Sequence, residues 1–322
     1  MRNRQALSRQ IHSLRALMKA TPVVRLEVEG INLHAKLEFH NPIGSIKDRP
    51  ALWILSCAIE RGEITQDTTL IESSSGNFAT ALAIYSQLLN LRFIPVIDPN
   101  IAPSYEFLLR QTCERVEKVL ERDDTGGYLK ARIAKVDELL RSTPHSFWPN
   151  QYGNPDAVAA HYHLTGEEIC NAFQQLDYVF IGVSTGSTIT GVSKRLKERF
   201  PRVRIIAVDA EGSVLFGQHP KKRYIPGIGA SLPSQFLRQA SVDDSVIVPE
   251  YETALACNEL LQHHGLFVGG SSGSVYAAVK RYLPQIRAMH PPNVLMICAD
   301  RGTPYIETIY NPDWVNSTLK PT

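Results

Sequence analysis

The sequence predicts an α/β fold of two domains with largely parallel sheets, and three observations carry that expectation. Short apolar runs rich in β-branched residues alternate with amphipathic stretches along all 322 residues, the pattern of parallel strands joined through helices. Four Gly-, Ser- or Lys-bearing segments fall where an apolar run gives way to a helical one, the position at which such sheets bind ligands. No repeat, low-complexity tract or long linker interrupts the alternation, and the length suits two modest domains or one large one, each with a core.

The elements follow in order from hydrophobic period. Residues 33–39 read as a strand and 46–61 as a helix; 69–72 is a short apolar run before an Ala/Leu-rich helix at 77–89. The run RFIPVID (92–98) reads as a buried strand, 104–111 as a helix, 115–120 as a strand and YLKARIAKVDELL (128–140) as an amphipathic helix. The second half repeats the theme: a helix at 157–173, the strand YVFIGV (178–183), a helix at 188–200, and strands at 204–210, 245–249 and 293–299. Helices at 252–263 and 274–283 fall between the last two strands.

Charge and side-chain chemistry narrow the function. Thirty-four basic against 32 acidic residues leave a formal charge of +2 with no Lys/Arg block, so nothing favours nucleic acid or a membrane surface. The N-terminus Met1–Gln5 leads into a mixed polar helix without an apolar h-region, and no stretch approaches the roughly 20 apolar residues that span a bilayer. A cytoplasmic protein is expected. Five scattered cysteines (57, 113, 170, 257, 298) form no CxxC pair, which argues against a zinc site or a disulfide framework. His161 and His163 lie two apart on an expected helix and point to different faces, so they make a poor metal site. The adjacent His263 and His264 read as structural.

Lys47, in Asn41-Pro-Ile-Gly-Ser-Ile-Lys47-Asp-Arg49, stands at a loop-to-helix junction. Backbone N–H donors and nearby cations there favour its neutral amine, the form that attacks carbonyls. The segment Glu72-Ser-Ser74-Ser75-Gly76-Asn77 opens a helix, and its N–H groups with the Ser and Asn side chains suit a carboxylate or phenolate oxygen. Alone, a serine there is an ordinary N-cap. Ser184-Thr185-Gly186-Ser187-Thr188 offers hydroxyls and N–H groups to a phosphate ester. Lacking both a P-loop lysine and GxGxxG, it speaks against nucleotides. Gly269-Gly-Ser271-Ser-Gly-Ser274 opens a further helix. Taken together, the four loops describe a site for an aromatic aldehyde bearing a phosphate.

With these residues in view, the chain resembles the fold-type II pyridoxal 5′-phosphate (PLP) enzymes of the cysteine synthase / cystathionine β-synthase family over nearly its whole length. Thr21-Pro-Val-Val-Arg-Leu26 is similar to the family's TPLVRL, and NPIGSIKDR to its NPxGSxKDR. The resemblance implies two three-layer α/β domains with the active site in the cleft between them. Residues 1–40 with 146–322 would form the larger, cofactor-binding domain, and 41–145 the smaller, mobile, substrate-binding one. Carried over by position, Lys47 would hold PLP as a Schiff base and Asn77 would bond its 3′-oxygen. Ser184, Thr185, Gly186, Ser187 and Thr188 would hold its phosphate, and Ser271 would face the pyridine nitrogen. Ser74, Ser75, Gly76 and Gln151 would bind the amino-acid carboxylate. A neutral hydroxyl at the ring nitrogen goes, in this family, with β-elimination and β-replacement. A homodimer is implied as well.

The chain departs from cysteine synthase in two loops, with SSGNFA (74–79) for TSGNTG and STGST (184–188) for GTGGT. It is similar instead to the branch of the family that joins O-phospho-L-serine to L-glutamate at the start of L-2,3-diaminopropionate synthesis in siderophore and antibiotic pathways. That likeness runs through 126–140, FWPNQYGN (147–154), HYH (161–163), AVDAEGSVLFG (207–217), IPGIGAS (225–231) and ADRG (299–302). A phosphate leaving group and a dicarboxylate nucleophile both need cations or donors, and Arg132, Tyr152 and Ser184 are the candidates. Alone, Arg132 is a solvent-facing helix charge and Tyr152 a packing residue. Two alternatives stay open: a β-replacing enzyme that uses sulfide, and a PLP-binding regulatory protein without catalysis.

Overall fold

A computed structural model describes residues 2–124, 126–286 and 290–320. In chain order the elements are α1 (Arg2–Arg15), β1 (Val23–Leu26), β2 (Asn32–Leu37), α2 (Asp48–Arg61), β3 (Thr69–Ser73), α3 (Asn77–Leu88), β4 (Arg92–Ile97), α4 (Pro103–Thr112), β5 (Glu117–Lys118), α5 (Leu129–Ser142), β6 (Ser146–Phe147) and α6 (Pro155–Ala160). A π-helical turn, His161–Gly166, leads to α7 (Glu167–Ala172), β7 (Tyr178–Gly182), α8 (Ser187–Arg199), β8 (Arg204–Ala210), β9 (Asp244–Val248), α9 (Glu250–His264), α10 (Gly270–Ile286), β10 (Asn293–Cys298) and α11 (Pro312–Thr318).

The chain divides into two compact units, 1–19 with 41–43 and 47–160, and 20–40 with 44–46 and 161–322. The first holds an all-parallel four-stranded sheet in the order β5-β4-β3-β6. Successive residues of β3 feed opposite faces. Leu70 joins the core of Leu7, Ile11, Leu55 and Leu82 from α1, α2 and α3, whereas Ile71 packs with Val136 and Leu139 of α5. Residues 1–19 and 146–160, grouped above with the larger domain, pack in this unit. The reason is local: α1 and α6 have apolar stripes, and Leu7, Ile11 and Ala157 complete the core under α2.

The second unit holds a six-stranded sheet in the order β1-β2-β10-β7-β8-β9, parallel except for β1 against β2. Its central strands are apolar on both faces, as strands covered on both sides must be. Phe180, Ile206 and Met296 face α9 and α10, while Val179, Ile181, Ile205 and Leu295 face α7 and α8.

Three expectations change. The strand at 115–120 contracts to Glu117–Lys118 and the helix at 157–173 is interrupted by the π turn. The helix expected from Ser274 begins at Gly270, where small residues let α10 approach α9 closely: a Cβ on Gly273 would lie 2.3 Å from Cys257 Sγ. The edge strand β1 and the short β6 were not foreseen. Among the described residues no helix is long and apolar enough to cross a membrane.

Candidate active site

In the first unit Lys47 occupies the N-cap of α2, where its carbonyl accepts the Ala51 N–H at 3.1 Å. The next two residues, Asp48 and Arg49, are fully buried. Asp48 Oδ2 accepts the Ile43 N–H at 2.6 Å and so ties the turn before the lysine to the helix start. Lys47 itself is half-buried, on a junction held from both sides.

The loop after β3 gathers most of the other candidates of this unit. Glu72, the penultimate residue of β3, is fully buried and accepts N–H bonds from Ser73 (2.8 Å), Trp148 Nε1 (3.2 Å) and Gln151 (3.3 Å). Burial, only partly offset by these donors, pushes its carboxyl up to about 8. The Ser73 carbonyl accepts from Gln151 Nε2 at 3.0 Å and from Tyr152 Oη at 3.2 Å. Both candidate side chains are thereby anchored to the strand end. Burial raises the Tyr152 hydroxyl above its usual range, and the Arg132 charge works the other way. Ser74 Oγ accepts the Ala79 N–H at 3.2 Å, as a helix-capping serine does.

Ser75 and Arg132 meet at Asp98, which follows β4. Ser73 pairs with Val96 in the β3–β4 register, and two residues on, Ser75 Oγ donates to Asp98 Oδ2 at 2.9 Å and accepts the Asp98 N–H at 3.0 Å. Arg132 Nη1 donates to Ser75 Oγ at 3.2 Å, and its Nε lies 3.2 Å from Asp98 Oδ2. That Nε is close to the carboxylate without a hydrogen bond to it, and is buried with no acceptor. The side chains of Arg132 and Asp98 are only 12% and 7% exposed, so Arg132 is not a solvated helix charge. Arg132→Leu is expected to destabilise the fold by about 2–3 kcal/mol in urea unfolding. Asp98 would keep its bonds to Ser75 and to the Asn100 N–H (2.8 Å) but lose its cation.

In the second unit, Ser184–Thr188 joins the end of β7 to α8, with Gly186 as N-cap at φ 91°. The loop is braced from outside. Ser234 Oγ donates to the Thr185 carbonyl (2.6 Å) and Thr190 Oγ1 to that of Gly186 (2.8 Å), while Ser184 Oγ donates to the Gly229 carbonyl (3.0 Å). Thr188 Oγ1 lies 3.2 Å from Nε2 of the fully buried His161, whose Nδ1 meets Thr165 Oγ1 at 3.0 Å. The π turn sets that pair, so His161 supports the loop. Ser271 is buried in the first turn of α10 beside Gly182 of β7: a Cβ added to Gly182 would meet its Cβ at 3.8 Å. Hydroxyls and the N–H groups of a 13-residue helix, with no carboxylate among them, fit a phosphate.

Sequence reasoning missed the supporting roles of Glu72, Asp98 and Ser234. Asp98 was within reach, since it sits at the carboxyl end of a parallel strand. Ser234 carried no local signal.

The sequence matches the family of pyridoxal-phosphate dependent enzymes over residues 14–300. It is 42% identical over 300 residues to an N-(2-amino-2-carboxyethyl)-L-glutamate synthase of Ralstonia nicotianae, covering 92% of this chain and 88% of that one. The fold is similar to the O-acetylserine-dependent cystathionine β-synthase of Helicobacter pylori, at a TM-score of 0.84, 30% identity, and 92% of this chain against 98% of that one. It is also similar to an O-ureido-L-serine synthase, at a TM-score of 0.85, 26% identity and 96% of each chain.

Proposed function

The chain belongs to the family of pyridoxal-phosphate dependent enzymes, and on that premise we propose that it joins O-phospho-L-serine to L-glutamate by β-replacement. The products are N-(2-amino-2-carboxyethyl)-L-glutamate and phosphate, the first step toward L-2,3-diaminopropionate for a siderophore or antibiotic. The observation that carries the substrate choice is Arg132. Its side chain is only 12% exposed and is held at Ser75 and Asp98, which fixes a cation beside the loop after β3, a fitting place for a phosphate or second carboxylate. The identity to the Ralstonia synthase supports the nucleophile.

PLP, when bound, supplies the electron sink that makes the serine Cα proton acidic and its β-phosphate a leaving group. Lys47 would hold the aldehyde, and its Nζ, when free, would take the Cα proton. Ser74, Ser75, Gly76 and Gln151 hold the substrate carboxylate, with Gln151 kept in place by Glu72 and Ser73. Arg132, Tyr152 and Ser184 bind the departing phosphate. Asn77 would donate to the 3′-oxygen, Ser271 would face the ring nitrogen, and Ser184–Thr188 with the N-terminus of α8 would hold the cofactor phosphate. The unit carrying Lys47 acts as the mobile, substrate-binding one and the unit carrying Ser184–Thr188 as the cofactor-binding one. A homodimer in the cytoplasm is the proposed working form, and the dimer rests on the family resemblance.

The test is mass spectrometry of the product after incubation with PLP, O-phospho-L-serine and either L-glutamate or sulfide. A glutamate adduct with stoichiometric phosphate is expected. Cysteine from sulfide with no glutamate adduct would replace the proposal by a cysteine synthase, and no phosphate release at all would make this a binding protein. Gly186→Ala is a further check. A side chain at φ 91° is strained, and its Cβ would fall 2.4 Å from Ser234 Oγ. Fluorescence titration should show PLP affinity reduced about tenfold or more.

A further inference from the structure

Asn77 has a hydrogen-bond partner that its own loop does not supply. It is the first residue of α3, and Tyr105 lies in the first turn of α4, in the same unit. Tyr105 Oη donates to Asn77 Oδ1 at 2.5 Å. The tyrosine ring is partly buried against the core that holds Phe78, Ile101 and Leu109, so its hydroxyl is delivered from a packed ring.

We propose that Tyr105 is a positioning residue that decides which end of the Asn77 amide is presented to the cofactor's 3′-oxygen. The inference rests on the assignment of Asn77 above and deepens it. A carboxamide carries an acceptor oxygen at one end and a donor NH2 at the other, and a half-turn about its last torsion exchanges them with little change of shape. An electron-rich 3′-oxygen needs the donor end. The oxygen end then needs a donor of its own, which the Tyr105 hydroxyl provides. All the protons run one way, from the tyrosine O–H to Oδ1 and from Nδ2–H to the 3′-oxygen, and each bond polarises the next. Turned round, the amide would set its oxygen against the 3′-oxygen and leave the tyrosine proton without Oδ1.

Tyr105→Phe removes the hydroxyl and keeps the ring. Without that hydroxyl on Oδ1, the bound cofactor should keep a proton on its 3′-oxygen more often. Its visible band should lose intensity to the near-ultraviolet band, and the pH at which the two exchange should move upward. The PLP dissociation constant should rise about threefold to tenfold, the range of one neutral hydrogen bond. Replacing Tyr105 by 3-fluorotyrosine, close in shape but a stronger proton donor, should move the band ratio the opposite way. It also serves as the test if the phenylalanine variant does not fold. An unchanged band ratio and dissociation constant in Tyr105→Phe, or an unchanged or weakened visible band with 3-fluorotyrosine, overturns the proposal. A wild-type protein with no visible band and no borohydride-trapped lysine would instead overturn the proposed assignment of the cofactor site, so the two failures are distinguishable.

Discussion

Lys47→Ala is expected to lose both the yellow colour of the purified protein and turnover, with kcat/KM falling about a thousandfold or more. Two jobs go with one atom: holding the cofactor aldehyde, and moving the Cα proton, which alone contributes about 10²–10⁴-fold. Absorption spectra, borohydride reduction with peptide mapping, and phosphate release from O-phosphoserine check it independently. Wild-type label on a lysine other than Lys47, or a variant turning over at the wild-type rate, would remove the foundation of the proposed mechanism. Folding should survive, because Asp48 and its bond to the Ile43 N–H are untouched.

Glu72 should dominate the dependence of stability on pH. Its carboxyl is pushed from 4.5 up to about 8 by burial, so as pH rises the unfolded chain releases this proton first. The folded state holds more protons through that interval. The stabilisation is complete below about 4.5 and is lost as pH climbs through 8, by about 5 kcal/mol in all. Asp209, raised by burial to about 6, and Glu250, also raised by burial, act with the same sign, whereas His264, lowered by burial, acts with the opposite sign, so the difference between wild type and Glu72→Gln is what isolates Glu72. Urea unfolding of the wild type and Glu72→Gln across pH 5–8.5 separates them. The wild-type curve should fall across pH 6–8 and that of the variant should flatten. The variant should also lose about 1–3 kcal/mol at pH 5, because its amide cannot satisfy all the N–H groups that face Glu72. Parallel curves above pH 6 would mean that Glu72 is ionised in the folded protein. Because Glu72 also receives the Gln151 N–H, substrate affinity should drift over the same interval.

Much of the architecture was legible because parallel strands buried on both faces leave few choices. The runs at 178–183, 204–210 and 293–299 are apolar at successive positions, and a strand exposed on one face would not be. The start of α10 was hidden, since Gly269–Ser274 reads as a loop until α9 is seen against it. The π turn at His161–Gly166 was equally invisible: its purpose is the meeting of His161 with Thr188, 27 residues on. The small edge strands failed for the opposite reason, because β6 is two residues held by one neighbour, β3.

The candidate site divides along the same line. By itself the sequence determined which chemical groups stand at the strand-to-helix junctions: an amine at 47, serines and an amide at 74–77, hydroxyls at 184–188. That much is local, because a strand, a turn and a helix start are written in adjacent residues. Only the tertiary structure decided what holds those groups. The register of β3 against β4 sets Ser75 on Asp98, the packing of α5 brings Arg132 to both, and α4 lends Asn77 a tyrosine. A serine or a carboxylate looks the same in a sequence whatever it touches, and its partner is chosen by which strands and helices lie side by side.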